Sequence, residues 1–69
     1  MYNKDVNNLL AQYTEKAKGM TPFELRYAIK DVKETMELWK GEPMTHPYNQ
    51  QLWAEFDAFT VALYKAEKP

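Results

Sequence analysis

"MTPFEL", residues 20 to 25, decides how the rest of the chain is read. A threonine that begins a helix accepts a hydrogen bond from the backbone N–H three residues on, and a glutamate at that third position reaches back to the threonine N–H. Thr21 and Glu24 have this spacing, and Pro22 lies where a helix has no use for its missing N–H. The stretch is therefore predicted to start a helix with Thr21 as N-cap and Met20 stapled onto Leu25. A cap of this kind contributes on the order of 1 kcal/mol.

Outward from that start, punctuation divides the chain into three. The only two glycines, Gly19 and Gly41, each follow a helically periodic stretch with lysines in its last turn. A left-handed residue at that position ends a helix at least cost, and both glycines are predicted to play that part. The expected helices cover roughly 3 to 18, 22 to 40 and 47 to 66. The second joint, "KGEPMTHPYNQQLW" at residues 40 to 53, restarts the chain. Pro43 prevents continuation, Thr45 or His46 is placed to cap, and Pro47 falls in the first turn.

Each predicted helix carries an apolar stripe at the 3.6-residue period. Helix 1 aligns Tyr2, Val6, Leu9, Leu10, Tyr13 and Ala17, with Lys4, Asn8, Ala11 and Glu15 behind them. Helix 2 spaces Leu25, Ile29, Val32, Met36 and Trp39 at alternating four and three residues, the seam of near-antiparallel packing. On its outside, Lys30 with Glu34 and Lys33 with Glu37 make i,i+4 pairs in the weaker orientation, contributing a few tenths of a kcal/mol. Helix 3 repeats the spacing with Leu52, Phe56, Phe59 and Leu63 but adds Trp53 and Tyr64 on one flank and Ala54, Ala58, Val61 and Ala62 around the back. It is apolar almost all round, more than two short partners can cover. Segments this long, with few β-branched residues, do not read as strands.

The expected fold is all-α: a single-domain three-helix bundle over residues 1 to 69, in which an antiparallel hairpin of helices 1 and 2 lies over helix 3. A chain of 69 residues buries only about 60% of the surface its unfolded form exposes. Small scaffolds compensate with disulfides, a metal or a partner chain. With no cysteine and one histidine, neither a disulfide nor a protein-only zinc site is expected, nor any other cofactor. Self-association, as a homodimer, or a protein partner remains.

Nine basic and ten acidic residues are interspersed, giving a net charge of −1 without a like-charged block to nominate a polyanion. No apolar run is long enough for a membrane span, and "MYNKDVNNLL" lacks the regions of a signal peptide, so a cytoplasmic location is expected.

His46 could act as a base or ligand, but Glu42, Thr45 and Tyr48 do not complete any such set, and a helix-start role explains it better. Neither Asp31 with Glu34 nor Glu55 with Asp57 makes a catalytic pair. Residues two apart on a helix do not share a face, and Asp31 and Glu34 alternate with lysines on a solvated one. A small three-helix nucleic-acid binder is the alternative function. Against it, Asn49, Gln50 and Gln51 are followed by Glu55 and Asp57, and Arg26, Lys30 and Lys33 are balanced by Asp31, Glu34 and Glu37.

The preferred expectation is a non-enzymatic protein-interaction module, an adaptor or a small inhibitor of a larger protein. Its candidate contact residues are Phe23, Tyr27 and Leu38, within about 60° of one another opposite the seam of helix 2, and Trp53, Thr60 and Tyr64 on one flank of helix 3. Adjacent turns could still cover Phe23 and Leu38, which lie near the helix ends.

Overall fold

Three α-helices form where the caps and stripes place them: α1 over Lys4–Ala17, α2 over Pro22–Leu38 and α3 over Pro47–Glu67. This computed structural model describes the backbone of residues 4 to 67 and the side chains of residues 7 to 67, so the stripe positions Tyr2 and Val6 lie outside the described side chains. Among the described residues there is no strand.

The start of α2 is the capping box that its sequence encodes. The Glu24 N–H donates to Thr21 Oγ1 at 3.2 Å, and the Thr21 N–H donates to Glu24 Oε1 at 2.9 Å. That backbone N–H from Thr21 holds the Glu24 carboxyl below the usual carboxylate range. Met20 packs against the cluster of Ala17, Leu25 and Phe59, as a residue stapling the entry to α2 should.

The helix ends correct the glycine expectation: neither Gly19 nor Gly41 adopts positive φ. The chain instead closes each helix with tighter bonds to the third preceding carbonyl. After α1 these run from the N–H of Lys18, Gly19 and Met20 to the carbonyls of Glu15, Lys16 and Ala17. After α2 the Trp39 N–H is shared between Thr35 and Met36, and the Glu42 N–H donates to the Trp39 carbonyl. Such 3₁₀-type turns satisfy terminal carbonyls without a left-handed residue. The second helix consequently ends at Leu38, two residues early, with Trp39 as C-cap.

On the outside of α2, Glu37 pairs with Lys40 at 2.6 Å and not with Lys33, and Lys30 makes no ion pair with Glu34 among the described residues. The Lys40–Glu37 contact lies in solvent, where such pairs contribute little.

The stripes choose α3 as their common partner. Both α1 and α2 pack along α3 and scarcely meet each other, which replaces the expected closure of helix 1 on helix 2. Periodicity fixes which side of a helix is apolar but not which neighbour receives it. Along α2, Arg26 is paired with Glu67 at the far end of α3, whereas Trp39 meets Tyr48 at its start, so these two helices run in opposite senses. The buried apolar side chains are Ala17, Leu25, Val32, Leu52, Ala54, Ala58 and Phe59. Full burial of a leucine or phenylalanine contributes about 1.5–3 kcal/mol, so Leu25 and Phe59 are the largest single contributors on either side of the α2–α3 contact.

With α3 between its two partners, the molecule is flattened, measuring 37 × 25 × 17 Å. Its radius of gyration is 12.1 Å, against about 11 Å for a compact domain of this length.

Candidate functional site

The joint between α2 and α3 is built from Trp39, His46, Tyr48 and Asn49. His46 caps α3 from the side chain: its Nδ1 accepts from the Tyr48 N–H at 3.2 Å, and its carbonyl accepts from the Gln50 N–H at 3.0 Å. The rings of His46 and Tyr48 each lie edge-on to Trp39, with centroids 4.8 Å away. Asn49 is 4% exposed and donates from Nδ2 to the carbonyls of Glu42 and Pro43, both at 3.2 Å. One amide thereby binds two loop carbonyls near the first turn of α3. The histidine has a structural task, and its ring is occupied by a backbone donor and an indole. Met44 stays half-exposed beside this joint.

A second polar contact lies between α1 and α3. Burial and a hydrogen bond to the Glu55 carboxylate push the Tyr13 hydroxyl up to about 12, while Gln51 hydrogen-bonds it in the opposite sense. The same ring meets Phe59 edge-on at 6.0 Å. Glu55 is therefore engaged by Tyr13. Among the described residues, no three histidine or acidic side chains are placed to hold a metal ion, and no helix is long and apolar enough to cross a membrane.

Exposed apolar side chains dominate what is left. Phe23 is 75% exposed and Tyr27 68%, and they line one shallow groove on α2 with Glu24, Ala28 and Asp31. Adjacent turns do not cover Phe23. Leu38 is 84% exposed, equally uncovered, but it lies eleven residues beyond Tyr27, about 16 Å along the helix axis at 1.5 Å per residue. The structure therefore divides this set into an aromatic pair and an isolated leucine.

On α3, Thr60 and Tyr64 are exposed on one flank, and Trp53 is half-buried there, edge-on to Phe56 at 5.9 Å. Val61 stands exposed beside them. At 100° per residue Trp53, Thr60 and Tyr64 fall within about 40° of one another, so they form one continuous face. The two sets remain separate surfaces: Phe23 and Tyr27 project from the side of α2 opposite Leu25 and Val32, away from α3.

Between them runs a groove of about 560 Å³, floored by Ile29 and Leu63 and edged by Arg26, Lys30, Lys33 and Glu37. Asn49 and the Tyr13–Glu55 contact are invisible to sequence reasoning. Asn49 stands beside two glutamines of similar chemistry, and Tyr13 reads simply as a stripe residue.

No family model, curated protein or solved structure matches this chain.

Proposed function

We propose that this chain is a non-enzymatic protein-interaction module, an adaptor or small inhibitor that grips a larger protein through Phe23 and Tyr27. The observation that carries this is the exposure of two large aromatic rings, four residues apart, on the face an amphipathic helix keeps polar. Protein interfaces concentrate aromatic residues at their centres, where truncation of a single ring costs more than 2 kcal/mol at a hot spot. Glu24 and Asp31 border the pair, so the complementary surface is an apolar hollow with a basic rim. Leu38 supplies at most a distant contact. His46 and Glu55 serve the fold, and the protein acts by occupying a surface.

The test is capture of partners from the native host by tagged wild-type protein, with Phe23→Ala and Tyr27→Ala compared in parallel. Both substitutions should abolish capture of a saturable partner while far-UV circular dichroism stays unchanged. Recovery of the same proteins by both variants would show the assignment to be wrong.

A further inference from the structure

We propose that a basic amphipathic helix of the partner lies lengthwise on the outer face of α2, its cationic middle over Asp31 and Glu34 and its apolar ends on Phe23 with Tyr27 and on Leu38. The inference rests on the interaction role proposed above and adds the shape and charge of the occupant.

Pattern supplies the shape. Phe23, Tyr27, Asp31, Glu34 and Leu38 follow one another at four, four, three and four residues. That spacing holds them in one stripe, within about 80° of arc and along about 22 Å of helix. All five are exposed, on the side of α2 opposite the buried Leu25 and Val32. A stripe of this period is the surface that a second helix meets when it packs at a shallow angle. Two rings stand at one end, two carboxylates in the middle and a leucine at the other end, so the distant Leu38 becomes part of one contact.

Charge identifies the occupant. Among the described residues the Asp31 and Glu34 carboxylates are in no ion pair. Glu24, bonded by the Thr21 N–H, adds a third negative charge on the same side, and Lys30 borders the stripe with one positive charge. Even without Glu24, two acids stand against one base. Tyr27, Asp31 and Glu34 also line, with Lys30, a notch of about 60 Å³. A guanidinium suits such a notch, because it lies flat on an aromatic ring while its N–H groups reach carboxylates at its edge.

The same sign argues against a second copy. In a two-fold contact the centre of a face meets itself, which would set Asp31 and Glu34 against their own counterparts. It argues equally against a nucleic acid, whose phosphates seek unbalanced cations.

The probe is a labelled, end-capped, alanine-based peptide of about 16 residues, long enough to span the stripe at 1.5 Å per residue. It carries leucines at both ends of one face and two arginines between them, and its control has glutamates in place of the arginines. Fluorescence anisotropy with the full-length chain should show saturable binding of the arginine peptide and none of the control. Asp31→Lys, Glu34→Lys and Tyr27→Ala, all at exposed positions, should each weaken binding by at least about tenfold with unchanged helicity. No saturable binding, equal binding of the two peptides, or indifference to both charge substitutions would overturn the proposal. Self-association of the chain that is lost in Tyr27→Ala would also overturn it, assigning the face to a second copy. Capture of a native partner through Phe23 and Tyr27 alongside failure of the arginine peptide would sink this inference alone and leave the interaction role standing.

Discussion

On one side of α3, Leu52, Ala54, Ala58 and Phe59 lie buried beneath α1 and α2; on the opposite side Thr60 and Tyr64 are exposed and Trp53 is half-buried. Both sides are apolar enough to be covered. The difference arises because two partner helices, 14 and 17 residues long, each bring one apolar stripe, and a 21-residue helix that is apolar all round offers more than two. Small side chains mark the covered side: Ala54 and Ala58 are buried, and Ala58 lines a hollow with Thr14 and Ala17 of α1, whereas Tyr64 stays exposed and Trp53 half-buried. In a domain with so little core, such an uncovered face is the kind of surface on which the proposed interaction role rests.

The largest break in this comparison is expected on the covered side. Phe59→Ala removes a ring 5% exposed that touches Tyr13, and it should cost about 3–5 kcal/mol, enough to abolish the cooperative urea transition in a domain of this size. Next comes Asn49→Ala, which leaves the Glu42 and Pro43 carbonyls without their shared donor. Its cost should be about 1–3 kcal/mol, read as a lower midpoint with the denaturant slope retained.

The Tyr13 contact sharpens the comparison through pH. Its hydroxyl ionises near 10 in an unfolded chain and near 12 in the folded one, so its stabilisation is complete below pH 10 and is lost as pH rises through 12. Thermal melts between these values should therefore fall more steeply for wild type than for Tyr13→Phe. The smallest effect belongs to Gly41→Ala. Gly41 has no positive φ and an added Cβ would meet nothing within 4 Å, so the substitution should stabilise by about 0.4–1 kcal/mol. A destabilisation would indicate that the glycine is in fact left-handed.

Much of this architecture was legible before any coordinates. The box at Thr21 and Glu24 is a local code in which two side chains satisfy two N–H groups at fixed spacing, and it folds as written. The three stripes also appear as read, from Leu9 and Tyr13 through Leu25 and Val32 to Leu52 and Phe59. The glycine ends were misread because glycine permits a left-handed turn without requiring one. The pairing of helices was misjudged because stripe direction is a property of one helix, whereas the choice of neighbour depends on all three. For Phe23 and Leu38 a helical wheel gives an angle but no information about what lies above it, so only the packed chain could show them uncovered. Asn49 was missed for a related reason: its value lies in two carbonyls brought to it by the loop.

The claim on which all of this turns is that α3 has one covered and one open side, and the absence of cysteine makes it directly measurable. Thr60→Cys and Ala58→Cys, each a single thiol, can be reacted with a water-soluble disulfide reagent at nanomolar protein concentration. The thiol at 60 should react at close to the rate of an unfolded control and the thiol at 58 at least about a hundredfold more slowly, since a buried site reacts only when the structure opens. Equal rates at the two positions, or protection of position 60 at that dilution, would contradict it.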